Sequence, residues 1–226
     1  MKQRISIQVP DKWNDISLKK YLSLQSDLEN YKDDEEAQTA FTLYHLCELG
    51  LEELNSLSKE SYQKLVSEIA LFVSNANLPL QRIITIDGVE YGFEPNLSKM
   101  SYGACVDISK YDGFTIDKNW AKIMSILYRP IENKKGGTYS IQPYDGSIDE
   151  TKWLEVGMDV HFGCLFFFVN LSKDLLNYTL NSTMQIMPET LQTFKSTLGI
   201  SGNLIQQLLN SQITTLGQST KSSKNP

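Results

Sequence analysis

The densest hydrophobic pattern in the chain lies between residues 117 and 176. Trp120, Ile123, Met124 and Leu127 recur at three- and four-residue steps within DKNWAKIMSILY. That spacing predicts a short amphipathic helix with one buried face and Asp117 as its cap. Farther on, residues 157–171 (GMDVHFGCLFFFVNL) are apolar on nearly every side. A helix without a polar face has to be buried, so this one is expected at the centre of a packed domain. Pro130 ends the first helix or forces the chain extended just before it. The polar stretch ENKKGGTYSIQPYDG then reads as a turn or loop followed by a short strand, which Pro143 would keep at a sheet edge. SIDETKWLEV is a short helix or turn around Trp153.

Upstream, residues 3–9 set Ile5, Ile7 and Val9 against polar neighbours and predict a leading strand ended by Pro10. PDKWNDIS turns into a helix that Ser17 can cap, with Ile16 and Tyr21 placed as a hydrophobic staple and Leu18, Leu22 and Leu28 inward. The acidic segment YKDDEEAQT suits the first turn of the next helix, where the dipole favours negative charge. That helix would bury Ala37, Ala40, Phe41, Tyr44 and Cys47 and stop at Gly50. A turn, LEELNSLS, precedes a helix capped by Ser58 that carries Tyr62, Leu65, Val66, Ile69, Phe72 and Val73. After the linker NANLPLQ, two strand-like runs flank Asp87-Gly88, the dipeptide that a type I′ hairpin turn favours. Residues 97–111 read as a helix beginning near Ser101. Beyond Asn177 the pattern weakens; MPETLQTFKSTL with Pro188 at its first position and SGNLIQQLLNSQI read as helices.

The expected fold is therefore α+β and predominantly α-helical, with a leading strand and one or two short β-hairpins. Residues 1–78 form an N-terminal strand plus helical part, residues 79–212 a central hairpin and C-terminal helical core, and residues 213–226 a disordered tail.

Charge narrows the function. A net charge of −6, with Lys and Arg spread along the chain, argues against a nucleic-acid binder, because phosphate contacts need clustered cations. The N-terminus lacks the apolar core of a secretory signal. The run around residues 165–171 is too short to span a bilayer, so no membrane role is expected. Cys47, Cys105 and Cys164 are odd in number, far apart and set in apolar surroundings. They read as buried small hydrophobes in a reducing cytoplasmic setting.

No arrangement of residues announces catalysis, a cofactor or a metal. His45 and His161 are the only histidines, and neither has ligand spacing to a cysteine. Asp159, His161 and Cys164 are close in sequence, but Asp159 and His161 point apart on a helix; His161 and Cys164 read as a buried polar pair. No nucleophile elbow, phosphate loop or dinucleotide fingerprint is present. The acidic run at residues 33–36 lacks the alternating ligands of a calcium loop and reads as a solvated helix start. Arg129 is expected to fork onto carbonyls or a carboxylate. Arg129, Pro130, Tyr139, Tyr144 and Trp153 together make the candidate partner surface, because aromatic residues and arginine anchor protein interfaces. A pocket near Arg129, Asp159 and His161 is what a small-molecule enzyme would use instead.

Three stretches carry a resemblance. VPDKWNDISLKKY resembles a VP-x-x-W-x-D-I-T-like opening in structural or assembly proteins of tailed bacteriophages. MSYGACVDISKY, after the hairpin IDGVEYGFEP, resembles the M-T-x-G-x-x-x-D-L-like element that follows it there. KIMSILYRPI and YSIQPYDG resemble the I-L-Y-R-P-x…Y-x-x-x-x-Y-x-G element of the same proteins, including those of crAss-like phages. The likeness runs over residues 8–172 and departs at Ala104 and Cys105, where a more polar pair is expected. It implies a non-enzymatic role in virion morphogenesis, as a tail or baseplate assembly chaperone or a minor structural component. Its partners would be other phage structural proteins or further copies in a ring, and its place the host cytoplasm during assembly or the virion itself. The alternative from a different class is the small-molecule enzyme with its pocket near Arg129, Asp159 and His161, and a third is a host-directed adaptor with no role in the particle.

Overall fold

The computed structural model describes residues 7–74, 78–111 and 114–182. They form a predominantly helical α+β fold with a four-stranded antiparallel sheet. Of the expected leading strand only residues 7–9 are described, and they carry no strand pairing. The helices expected beyond residue 182 and the tail lie outside the described residues. By their contacts the described residues fall into two compact units, one of residues 7–12 and 23–74, the other of residues 13–22 and 78–182.

The first unit contains most of α1 (Leu18–Asn30), then α2 (Glu35–Cys47), α3 (Leu51–Ser56) and α4 (Lys59–Ser74). Asp34 caps α2, its carboxylate accepting the Ala37 N–H at 2.9 Å. The helix does not stop through a glycine. Glu48 takes the left-handed conformation (φ 57°), while Gly50 begins α3, its N–H donated to the Glu53 carboxylate at 3.0 Å. LEELNS is accordingly a helix rather than a turn, with Glu52 and Glu53 in the first turn where the dipole favours them. The buried face of α2 is Leu43, Leu46 and Cys47, and Tyr44 is exposed. Leu65 and Ile69 of α4 are buried as expected. His45 and Asp27 meet at 2.7 Å and tie α2 to α1.

The second unit holds β1 (Ile83–Ile86), β2 (Val89–Phe93), β3 (Tyr128–Lys135) and β4 (Thr138–Ile141), in the order β1-β2-β3-β4. Around them lie α5 (Tyr102–Ser109), α6 (Trp120–Leu127), α7 (Thr151–Leu154) and α8 (Met158–Ser182). Asp87 (φ 51°) and Gly88 (φ 79°) make the expected I′ turn, and Gly136 (φ 58°) with Gly137 (φ 80°) makes a second one. ENKKGGT is thus mostly strand. Pro130 does not stop the chain from pairing, because α6 passes directly into β3 and Pro130 sits opposite Tyr91. Its missing N–H faces β4, where the pairing is irregular between Ile131 and Asn133.

Residues 13–22, expected with the N-terminal part, pack in the second unit. Trp13 and Tyr21 set their rings edge-on to Phe162 at 4.8 and 5.3 Å. The Met158 N–H donates to the Ile16 carbonyl at 2.8 Å, and the Leu18 N–H to Val156 at 3.0 Å. The α8 helix is central as expected, and it runs on to Ser182, past the point where the hydrophobic pattern fades. Among the described residues no helix is long and apolar enough to cross a membrane.

Gly163 lets this helix approach the backbone closely. A Cβ there would lie 2.5 Å from the Pro79 carbonyl oxygen. Gly163→Ala is therefore expected to destabilise the protein by about 1–3 kcal/mol despite alanine's better helix propensity. Thermal denaturation of the variant checks it; an unchanged or raised midpoint would disprove the close approach.

Candidate functional site

Two concave surfaces in the second unit collect the polar side chains. The smaller, about 180 Å³, is lined by Arg129, Pro130, Pro143 and Tyr144, over a floor that includes Tyr128 and Trp153. Four of the five residues expected at a partner surface thus converge on one cleft. Tyr139 is not among them. Its ring lies over Gly92, where a Cβ would meet it at 2.5 Å, and its hydroxyl donates to the Phe93 carbonyl at 2.6 Å. It clamps β4 onto β2. Trp153 is 1% exposed, so it supports the cleft from beneath and touches no partner.

The cleft is braced by ionic and phenolic contacts. Arg129 pairs with Glu94, the two side chains being 11% and 9% exposed. A carboxylate partner is what was expected of Arg129, but the contact runs through Nη2 alone and Nε has no hydrogen-bond partner, so it is single rather than forked. Tyr144 donates its hydroxyl to Asp107 at 2.6 Å, fastening the segment after β4 to α5. Burial and then that carboxylate hold the Tyr144 phenol protonated well above the usual range. Lys152 lies 3.0 Å from both the Tyr91 hydroxyl and the Asp149 carboxylate. These bonds, Tyr91 first, raise its pKa and keep it an ammonium.

Glu94, Tyr91 and Lys152 were not legible as site residues. Glu94 meets Arg129 only because β2 pairs with β3, and nothing local to either hairpin records that pairing. The one available signal was a carboxylate directly following the hydrophobic end of β2.

The larger concavity, about 970 Å³, runs along β1 and is walled on the other side by residues 155–160. Asp159 lies here. Its Oδ2 accepts from the Gln81 amide at 2.6 Å, while its buried Oδ1 has no partner. His161 lines neither surface. It is fully buried, its Nδ1 accepting from Trp120 Nε1 at 3.2 Å and its Nε2 lying 3.2 Å from the Trp153 carbonyl. Indole N–H can only donate, so Nδ1 is the bare nitrogen and Nε2 carries the proton. Burial lowers the His161 pKa to about 4, leaving the ring neutral. Arg129, Asp159 and His161 therefore occupy three separate places and compose no common pocket. Cys164 is not a partner of His161; it is fully buried, and burial pushes its thiol up. Among the described residues no group of three His, Cys, Asp or Glu side chains is placed to hold a metal ion.

Cys105 corrects the expectation that all three cysteines are buried. It is exposed on α5, whereas Cys47 and Cys164 are buried, and none of them is in a disulfide. A thiol reagent should label Cys105 alone in the native protein and all three after denaturation. Fast native labelling of Cys164, read by peptide mapping, would contradict this placement.

No family model matches this chain, and no curated protein or solved structure matches it.

Proposed function

We propose that this protein acts through protein–protein contact in the assembly of a tailed-bacteriophage particle. It would serve either as a tail or baseplate assembly chaperone or as a minor component of the particle. The observation that carries the contact reading is the size and build of the small cleft. At about 180 Å³ it falls below the roughly 300 Å³ at which small-molecule sites begin, and it fits one inserted side chain. Its walls set Pro130, Pro143 and Tyr144 beside polar Gln142, Asp145 and Ser147, its floor includes the buried rings of Tyr128 and Trp153, and Arg129, Asp149 and Lys152 among its charged members are paired. Small sockets that combine aromatic rings, proline and polar groups receive the anchor residues of a partner. The groups a catalyst would use, His161 and Cys164, are sealed in the core. The phage setting rests on the resemblance of the three sequence stretches.

Mass spectrometry of purified particles tests the setting. Abundant copies support a structural component, and absence from particles combined with tail defects on deletion supports a chaperone. Normal particles from a deletion strain, without copies in the wild type, would refute both. The cleft itself is tested by Ser147→Arg, an exposed lining position. Particle yield should fall with no change in melting temperature.

A further inference from the structure

The strand β1 ends the sheet with an unused edge. The Phe93 N–H donates to the Arg82 carbonyl, and the register sets Ile84 opposite Tyr91 and Ile86 opposite Val89. Bonded and non-bonded pairs alternate in an antiparallel ladder, so Ile84 and Ile86 direct their backbone groups to β2. Ile83 and Thr85 direct theirs outward, and neither has a backbone partner outside the strand among the described residues. Soluble proteins commonly blunt such an edge with lysine, proline or a bulge. The sequence Ile-Ile-Thr-Ile has none of these. The edge opens into the groove of about 970 Å³, whose far wall offers Val156 and Val160 as apolar contacts.

The charge of the groove selects its occupant. Five carboxylates line it, Asp87, Glu90, Asp149, Glu155 and Asp159, against one ammonium, Lys152. Lys152 is already engaged by Asp149, Glu90 by Lys134 at 2.9 Å, and Glu155 by an exposed Lys19 at 3.8 Å. Asp87 and Asp159 have no cationic partner among the described residues; Asp87 is exposed, whereas Asp159 adds only its field, its Oδ1 being buried and its Oδ2 taken by Gln81. We infer that β1 is a docking edge for a basic extended segment of a partner protein, which adds to the sheet as a fifth strand with cationic and apolar side chains alternating. Main-chain bonds to Ile83 and Thr85 supply affinity, and the alternate side chains meeting the exposed Asp87 and Glu155 and the two valines supply specificity. A second copy of this chain is a poor fit, because pairing β1 with β1 would bring the two sets of carboxylates together. The inference does not depend on the phage setting or on the small cleft, so particle analysis cannot decide it.

The test uses the full chain and a fluorescent peptide of alternating lysine and valine. Comparators are the same peptide with glutamate for lysine and one with alternate backbone amides N-methylated. Anisotropy should show saturable, salt-sensitive binding of the lysine peptide alone, with slowed amide exchange at Ile83 and Thr85. Thr85→Pro removes only an outward-facing N–H and should weaken binding by about tenfold, roughly one lost main-chain bond. Asp87→Asn with Glu155→Gln, two exposed positions, should weaken it comparably even where the proline variant folds poorly. Equal binding of the glutamate peptide, wild-type affinity in the charge variant, or no saturable binding would each overturn the assignment. Self-association of the chain that Thr85→Pro abolishes would also overturn it, by giving the groove to a second copy.

Discussion

Arg129→Ala is expected to destabilise the protein by about 3–5 kcal/mol, the usual range when one member of a buried ion pair is removed. The loss comes from what stays behind. Glu94 is 8% exposed, and without Arg129 its carboxylate would keep only a long bond from the Asn96 N–H at 3.3 Å. Arg129→Lys should recover only part of it, since a compact ammonium is more strongly hydrated than a guanidinium and costs more to bury beside Glu94. Replacing both partners, as Arg129→Met with Glu94→Gln, should recover most of the loss, because neither charge is then stranded in the core. Urea denaturation of the three variants measures all of this. A single Arg129→Ala variant within about 1 kcal/mol of wild type would show that the pair is solvated in solution.

His161→Ala should cost a comparable amount, about 3–5 kcal/mol at neutral pH. It leaves the Trp120 indole N–H without a partner and the Trp153 carbonyl with only the Val156 N–H at 3.3 Å, and opens a cavity beside Trp120 and Trp153, which are 0% and 1% exposed. The same residue makes stability depend on pH. Its native pKa, about 4, lies below the ordinary 6.5, so between those values the unfolded chain binds a proton that the native ring refuses. Stability is thus fully present above pH 6.5 and is lost as the pH falls toward 4. The full effect is about 3 kcal/mol, from the size of that shift. Asp107 and Asp149 also sit below their usual pKa, held there first by Lys110 and Lys152, and they add losses at lower pH. Wild type and His161→Ala share those losses. The stability gap between the two proteins should therefore narrow on going from pH 7 to pH 4.5. A gap of constant size would mean that His161 is protonated in the native state.

The two sheet-building hairpins differ in how far they could be foreseen. Asp87-Gly88 between two β-rich runs dictates its own turn, because both positions need positive φ and the flanking residues favour extension. Gly136-Gly137 makes the same kind of turn, but its flanks, ENKK and TYS, are polar and carry no alternation that marks a strand. Those flanks pair because β2 offers its free edge to β3, a template supplied from 35 residues away between Glu94 and Arg129. The end of α2 shows the opposite failure. Gly50 has the residue type for a left-handed stop, yet Glu48 adopts that conformation and the glycine starts the next helix. Local preference named a plausible residue, and the packing of Leu46, Cys47 and Leu49 chose another.

The candidate surfaces divide along the same line. That Arg129, Pro130 and Tyr144 belong together was readable from their shared stretch of chain, and Arg129's need for a carboxylate followed from guanidinium chemistry. The identity of that carboxylate was not readable, nor were the burial of Trp153 and the folding of Tyr139 across Gly92. Each depends on which strand lies beside which.

The sequence alone determined the helical character of the chain, the Asp87-Gly88 turn, the Ser58 and Ser101 caps, and the burial of α8. All of these follow from spacing and side-chain chemistry within a few residues. Tertiary structure alone decided that residues 13–22 pack with α8, that Glu94 neutralises Arg129, and that His161 is held by two tryptophans. It also decided that β1 keeps an open edge above an acidic groove. The physical reason is range: caps, turns and amphipathic faces are settled by neighbours in sequence. Ion pairs, buried hydrogen bonds and free sheet edges are settled by partners tens of residues away, which the chain meets only on folding.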